Sequence, residues 1–211
     1  VTYADGKISY TAEANADSKR TATITVTLTD GDFAVTKTIS AKQKSATSLE
    51  YKLTVTPAVL NEILKVEAEK HPEATNDDFF EVDATFKAVA TDGSGKTVDV
   101  EMHANKMRVT SLTEDSFCMK DKFYCKSSIG FVEKVVITSD RKVTTGSWAD
   151  LAVKFSKDGS AWKDLSSSAI TVDGKVSTVV NTDEENTYFS IVGQSYSVLY
   201  VNSFEVTFVG E

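Results

Sequence analysis

The chain has 211 residues, 41% hydrophobic and 26% charged, which is the composition of a folded protein and excludes intrinsic disorder. Its formal net charge of -8 argues against nucleic acid and anionic lipid as partners, because both repel acidic surfaces. No apolar run approaches the roughly 20 residues that a membrane-spanning helix needs, so we expect no such segment.

Residues 1–47 alternate apolar and polar side chains with the period of β-strands. Three strands of an immunoglobulin-like sandwich are predicted here, at Ile8 to Ala12, Ala22 to Leu28 and Phe33 to Ser40. The small, polar segment Lys44 to Ser48 separates them from a more acidic remainder. The sequence therefore predicts two domains, 1–47 and 48–211.

Only one segment of the second domain is predicted to be helical. Thr56 followed by Pro57 is typical of a helix N-terminus, and Pro72 ends the helical pattern, so we expect a helix at 57–70. Alternation elsewhere predicts an antiparallel jelly-roll β-sandwich with this helix as an insertion. Its strands are predicted at 51–55, 80–90, 97–102, 106–109, 132–139, 151–156, 169–172, 176–180, 187–192 and 198–209.

Cys118 and Cys125 are the only cysteines, and their spacing matches no zinc or redox motif. If the chain turned at Asp121 and Lys122, the two residues would face each other across a hairpin. The sequence is compatible both with a disulfide between the two cysteines and with two buried thiols.

Residues 8–43 carry the first of two family resemblances. The run from Asn15 to Thr27, followed by a strand that ends at Gln43, resembles the second half of the Bacteroidetes-associated carbohydrate-binding domain, usually called BACON. Asn15, Arg20 and Gln43 match its scaffold pattern. The resemblance implies an exported protein of a Gram-negative bacterium, extracellular, at the cell surface or periplasmic, in which this domain is a spacer.

Residues 127–211 carry the second resemblance. They are similar to the jelly-roll modules that follow BACON-like domains in secreted proteins of gut Bacteroidetes, and to galactose-binding-like domains. The similarity includes an S-x-D-G-x-x-W turn at Ser156, Asp158, Gly159 and Trp162. It implies a sandwich whose loops present a ligand site. We expect the Trp162 ring itself to be buried under the turn.

Sugar binding by β modules needs an accessible aromatic ring beside hydrogen-bonding groups. Trp148 is a candidate, because it lies in a loop-like stretch with no strand alternation to explain it. Tyr196 and Tyr124 are further candidates near predicted turns. The structural alternatives are a lid over the sandwich end for Trp148 and half-buried rim positions for the tyrosines.

Asp183, Glu184 and Glu185 lie in an acidic turn that can ligate calcium, although a solvated turn is the commoner structure without a defined calcium-loop spacing. His71 and His103 show no metal-ligand spacing, and no nucleophile or phosphate-binding motif is present. A facing carboxylate pair, as in glycosidases, stays open in so acidic a chain. We nevertheless expect no enzyme.

The sequence as a whole predicts a non-catalytic carbohydrate-binding or adhesion module of a secreted or cell-surface protein. The expected partner is a glycan or another protein. Two alternatives stay open, namely a structural spacer or protein-interaction module, and an accessory domain of a glycan hydrolase.

Overall fold

The structure is a computed structural model that describes residues 2–4, 7–9, 11–13, 15, 20–30, 33–45, 48–70, 79–108, 117–119, 122–139, 151–164, 170–193 and 199–210. The chain divides between Ser48 and Leu49 into two compact units. Its described residues form strands and one helix, so the prediction of a mostly β fold is confirmed.

In the part of the first unit that the structure describes, four strands form two antiparallel pairs. They are β1 (Thr2–Ala4), β2 (Lys7–Ser9), β3 (Arg20–Asp30) and β4 (Phe33–Gln43). β1 pairs with β2, and β3 pairs with β4. Residues 11–13 are not part of a strand, so the first predicted strand is shorter than expected.

Hydrogen bonds of Asn15, Arg20 and Gln43 join the short segment before β3 to the hairpin. Arg20 Nε donates to Gln43 Oε1 at 2.6 Å, and both side chains donate to the carbonyl oxygen of Glu13, at 2.9 and 2.5 Å. The Asn15 amide donates to the carbonyl oxygen of Lys44 at 3.1 Å. These side chains therefore fasten the segment before β3 to the open end of the β3–β4 hairpin.

One face of the β3–β4 hairpin carries several apolar side chains. Ile24 lies opposite Ile39, and Val35 lies on the same face of β4, with Lys37 between Val35 and Ile39. Val35 is 59% exposed and Ile39 is 40% exposed. An isolated hairpin cannot bury such a face by itself, because burial requires a further strand or a packed layer. The first unit thus leaves these two side chains accessible.

The second unit is built on one continuous antiparallel sheet. Its elements are β5 (Leu49–Val55), α1 (Pro57–Glu69), β6 (Phe79–Asp92), β7 (Thr97–Arg108), β8 (Phe117–Met119), β9 (Lys122–Cys125), β10 (Phe131–Ser139), β11 (Leu151–Ser156), β12 (Lys163–Asp164), β13 (Ile170–Asp173), β14 (Val176–Val180), β15 (Tyr188–Gly193) and β16 (Leu199–Gly210). The strand order is β12-β11-β15-β9-β7-β6-β5-β16-β10-β14-β13, and β8 pairs with both β16 and β7.

This sheet curls so that two halves face each other across one core. We call β12, β11, β15, β9, β7 and β6 the first half-sheet. Phe123 and Phe189 from the first half-sheet contact Phe204 of β16, with ring centroids 4.9 and 6.3 Å apart, and Phe189 also contacts Phe208 at 6.1 Å. All four rings are fully buried. The predicted antiparallel sandwich is confirmed, with these rings at its centre.

The helix begins at the predicted residue. The carbonyl oxygen of Thr56 accepts a hydrogen bond from the Val59 N–H at 3.1 Å, which starts the first turn at Pro57. Leu60 is fully buried, and α1 packs against β5 and β6. The predicted end at residue 70 is one residue beyond the observed one, which is the usual uncertainty of a helix boundary.

β8 and β9 do not form the hairpin that the cysteine spacing allowed. Both strands pair with the same side of β7, where Cys118 lies opposite Arg108 and Cys125 lies opposite Met102. At about 3.3 Å per residue, the two partners on β7 are about 20 Å apart, far beyond the reach of a disulfide. Cys125 is a free, buried thiol, and a bond between the two cysteines is excluded.

β6 is irregular near its start. Its register against β7 shifts between Glu81 and Ala84, as at a β-bulge. The uninterrupted alternation that the sequence predicts from Phe80 to Ala90 is therefore broken at this point. From Ala84 onward the alternation holds, and Phe86 and every second residue after it lie in the core.

Candidate functional site

The outer face of the first half-sheet carries a row of side chains across its strands. Core residues such as Phe123 and Phe189 point inward, so their chain neighbours point outward. Cross-strand pairing joins these outward residues into one row, which contains Thr85, His103, Tyr124, Ser190 and Lys154.

Tyr124 lies at the centre of an aromatic group on this face. Its ring centroid is 5.0 Å from that of His103 and 6.2 Å from that of Trp162, which meets it edge-on at 71°. The Lys122 amino group lies 4.5 Å from the Tyr124 centroid and 4.4 Å from the Trp162 centroid. Tyr124, Trp162 and Lys122 are half-buried. We call His103, Lys122, Tyr124 and Trp162 the aromatic cluster.

The turn after β11 is organised by Asp158. Its Oδ1 accepts hydrogen bonds from the Ala161 and Ser160 N–H groups at 2.9 and 2.8 Å and from the Ser156 hydroxyl at 3.0 Å. These donors, the Ala161 N–H first, hold the pKa of Asp158 well below its ordinary value. Gly159 takes the positive φ of 73° that the turn requires. The S-x-D-G part of the motif is therefore a rigid turn.

This turn brings Trp162 to the outer face. Lys154 on β11 pairs with Asp164 on β12, and Trp162 precedes Asp164 by two residues, so it shares the face of Lys154. The expectation of a buried Trp162 is not met, because β12 forms the edge of the sheet and leaves the ring half-exposed beside Tyr124. Edge position and strand register, rather than residue type, decide its environment.

Polar groups adjoin the aromatic cluster. The Thr85 hydroxyl lies 3.0 Å from His103 Nδ1. The Lys126 amino group donates to the same hydroxyl at 3.5 Å and forms a 3.3 Å ion pair with Glu101. The rings are thus bordered by a hydroxyl, a carboxylate and an ammonium group, each of which can bond to a polar ligand.

Ser190 lies in the same row, between Tyr124 and Lys154, and is fully buried. Its hydroxyl has no hydrogen-bond partner among the residues that the structure describes. A buried hydroxyl in a protein almost always bonds to protein, water or ligand.

Of the three aromatic residues that the sequence singled out, Tyr124 lies in the aromatic cluster. Trp148 and Tyr196 lie outside the described residues. Trp162 and His103 complete the cluster, and sequence reasoning missed them as a site because their proximity to Tyr124 comes from pairing between strands far apart in the chain.

The acidic turn after β14 holds its neighbours through ion pairs. Asp183 Oδ2 lies 3.1 Å from the Lys163 amino group, and Glu185 pairs with Lys157. Asp183 Oδ1 also accepts the Glu185 N–H at 3.3 Å. Among the described residues, which include Glu184, no three acidic, histidine or cysteine side chains are arranged to hold a metal ion. The carboxylates of Asp183 and Glu185 instead connect this turn to the turn that positions Trp162.

Cys125 directly follows Tyr124 in the sequence and carries a buried thiol. Its sulfur accepts the Phe189 N–H at 3.1 Å and donates to the Phe189 carbonyl oxygen at 3.6 Å. Burial raises the pKa of this thiol to about 12. A thiol that stays protonated and inaccessible is structural and not a nucleophile.

No protein-family model and no curated protein matches the chain. Within the described ranges, no helix has the length and apolarity to cross a membrane. The function is therefore argued from the aromatic cluster and its surroundings.

Proposed function

We propose that the chain is a non-catalytic glycan-binding module of a protein exported to the cell surface or beyond. The observation that carries the proposal is the half-buried pair Tyr124 and Trp162 on the outer face of the first half-sheet. The C–H face of a pyranose packs on such rings, while its hydroxyls bond to adjoining polar groups. Thr85 provides such a group at His103, and Lys126 and Glu101 extend it through their contacts with Thr85 and with each other.

Binding without catalysis fits the chemistry of this face. Glu101 is engaged with Lys126, and the buried thiol of Cys125 points into the core. A glycosidase would need two carboxyl groups on either side of one scissile bond. The Glu101 carboxylate at the border of the cluster suits hydrogen bonding to a sugar hydroxyl.

Export is proposed from the resemblance of residues 8–43 to BACON domains. In the first unit, Asn15, Arg20 and Gln43 make hydrogen bonds that serve the hairpin itself. This use of the scaffold residues supports a spacer role for the first unit. The binding role then falls to the second unit, in which Trp148 and Tyr196 stay candidates in addition to the residues of the aromatic cluster.

A glycan array probed with labelled protein tests the proposal. Wild type should bind at least one class of host or dietary glycan, and Trp162→Ala and Tyr124→Ala should each weaken binding by about tenfold or more, as loss of an aromatic anchor does. Val89→Ala is the matched control, because Val89 is exposed on the outer face of β6 but outside the cluster. Absence of glycan binding, or two ring variants that bind like the control, would contradict the proposal.

A second function, protein interaction through the first unit, is favoured by the exposed Val35 and Ile39. Exposed apolar side chains that share one face of a hairpin can form part of an interaction surface. A hydrophobic dye should bind the wild-type chain more strongly than the Val35→Ser/Ile39→Ser variant. Equal dye binding by the two proteins would contradict an accessible docking surface on this hairpin.

A further inference from the structure

The outer edge of β3 is a long and regular strand edge. In the part of the first unit that the structure describes, β3 pairs with β4 alone, so no strand pairs with its other edge. The strand has 11 residues, and its register against β4 does not shift, so this edge is not interrupted by a bulge. Thr23, Thr25 and Thr27 are exposed, so no layer of described residues covers the face that they share.

The two edges of the β3–β4 hairpin differ in how they are protected. Soluble proteins prevent association between edge strands by placing lysine, proline or bulges within these strands. β4 carries Lys37 and Lys42 among its inner residues, whereas residues 21–29 of β3 contain no charged residue, proline or glycine. The outer edge of β3 is therefore the side of the hairpin that favours the addition of another strand.

The sequence of β3 is complementary to itself in the antiparallel direction. Antiparallel pairing of all 11 residues with a second β3 has one register, in which Thr25 lies opposite Thr25 of the second copy. The other residue pairs in this register are Arg20 with Asp30, Thr21 with Thr29, Ala22 with Leu28, Thr23 with Thr27 and Ile24 with Val26. Opposite charges, threonines and apolar residues are thus matched along the whole strand.

Contacts of these kinds stabilise antiparallel strand pairs. The hairpin already contains one of them, because Thr27 Oγ1 lies 3.2 Å from Thr36 Oγ1 across β3 and β4. Arg20 is exposed, and within the described residues its guanidinium donates to Gln43 and to the Glu13 carbonyl oxygen but forms no ion pair. A guanidinium has five N–H donors, so Arg20 can keep these hydrogen bonds and also pair with an acidic residue of another strand.

We propose that two copies of the chain associate through the outer edges of β3 and form a four-stranded sheet in the order β4-β3-β3-β4. The partner is a second copy, because one two-fold axis at Thr25 places Arg20 opposite Asp30 twice, once at each end of the paired strands. Partners in this register are separated by an even number of positions. Threonines therefore meet on one face of the sheet and apolar residues on the other. The interface lies in the first unit and is independent of the glycan-binding function.

Exchange of the charges at the two ends of β3 tests the inference. Sedimentation of the wild-type chain over a concentration series should show a dimer. Arg20→Asp places acidic residues opposite each other at both ends, and Asp30→Arg places basic residues there, so each variant alone should dimerise about tenfold more weakly. An equimolar mixture of the two variants restores both pairs of opposite charges and should recover the dimer. Lys37→Asp is the control, because it changes a charge on β4 and should leave the dimer unchanged.

Disulfide formation at the two-fold axis tests the register without changing a charge. In Thr25→Cys the two introduced cysteines would lie opposite each other with Cα atoms about 4.5 to 5.5 Å apart, which is within the range of a disulfide. Thr38→Cys is the matched control, because Thr38 is exposed and lies opposite Thr25 on β4. Its two copies would be three strand spacings apart, about 14 Å, so they should not link. Peptide mass spectrometry should find the new disulfide in Thr25→Cys alone.

Two results would overturn the inference. The first is a wild-type chain that stays monomeric over the whole concentration series, with no linked peptide in Thr25→Cys. The second is a dimer that the charge variants leave intact and that does not link at Thr25→Cys, which would place the interface elsewhere on the chain. Either result leaves the glycan-binding function standing, because the glycan array measures that function separately.

Discussion

The two faces of the first half-sheet are made by alternate residues of the same strands, yet their side chains lie in different environments. Phe123 is fully buried against Phe204, whereas its neighbour Tyr124 is half-buried beside Trp162 and Lys122. The inner rings are removed from water and stabilise the fold by about 1.5 to 3 kcal/mol each. Strand register thus assigns one ring to the core and its chain neighbour to the outer face.

The largest effect should come from the inner face. Phe123→Ala should lower the free energy of unfolding by about 3 to 5 kcal/mol, because it removes a ring from the centre of a packed core. Denaturant unfolding measures this loss. Tyr124→Ala, one residue further along β9, is the matched variant and should lose only about 1 to 2 kcal/mol. Equal losses in the two variants would contradict the division between the faces.

The second effect concerns Cys125, which belongs to the inner face. Cys125→Ser should cost about 1 to 3 kcal/mol, because a more polar group replaces a buried thiol. Since burial raises the pKa of the thiol to about 12 from the ordinary 9.0, its stabilising contribution is complete below pH 9 and is lost as pH rises toward 12.

Alkylation followed by mass spectrometry checks this placement at the Cys125 peptide itself. The native chain should react far more slowly than the chain in denaturant, because the thiol is both protonated and buried. Rapid alkylation of native Cys125 near neutral pH would place this residue outside the core. It would contradict the assignment of Cys125 to the inner face of the first half-sheet.

Local signals made much of the fold predictable. The strands at 151–156 and 176–180 have the predicted bounds, because alternation and nearby turn residues specify both ends. Thr56 and Pro57 likewise predict the start of the helix. The sequence does not predict that β8 and β9 lie in line along β7, since this arrangement depends on which distant strand each one pairs with.

The candidate site was predictable only in part, for the same reason. Tyr124 could be singled out as an aromatic residue near a turn, but its contacts with His103 and Trp162 depend on pairing with β7 and β15 and on the edge hairpin β11–β12. The turn motif at Ser156 was visible in the sequence. The face on which Trp162 would emerge from it required the register.

The third effect tests the turn that positions Trp162. Gly159→Ala should cost about 1 to 2 kcal/mol, because an L residue is strained at its φ of 73°. The added Cβ would also lie 3.2 Å from the Tyr188 ring. Gly174→Ala is the control, with a φ of 60° and no atom within 4 Å of the added Cβ. If Gly159→Ala lowers the stability in thermal unfolding more than Gly174→Ala does, the difference measures the contact with the Tyr188 ring. Equal losses of stability would contradict an effect of this contact.

The smallest effect is the acid response of Asp158. Hydrogen bonds in the turn lower the pKa of Asp158. Its ionised carboxylate therefore contributes to the free energy of unfolding above about pH 4, and this contribution is lost as pH falls through the folded-state pKa. Asp158→Ala should therefore make the free energy of unfolding depend less on pH at acidic pH, and it should alter Trp162 fluorescence. Asp92→Ala removes a similar carboxylate from the β6–β7 turn and should leave that fluorescence unchanged. The same spectral change in both variants would contradict a specific link between Asp158 and Trp162.

The central claim is that a ring on the outer face of the first half-sheet binds a glycan. Trp148→Phe leaves Trp162 as the sole tryptophan, so that its emission reports on the aromatic cluster alone. Titration of this variant with a glycan that the wild type binds should change the Trp162 emission until it saturates. The midpoint of this fluorescence change should coincide with the midpoint of the binding curve. Full binding with an emission of Trp162 that does not change would place the glycan elsewhere and contradict the account.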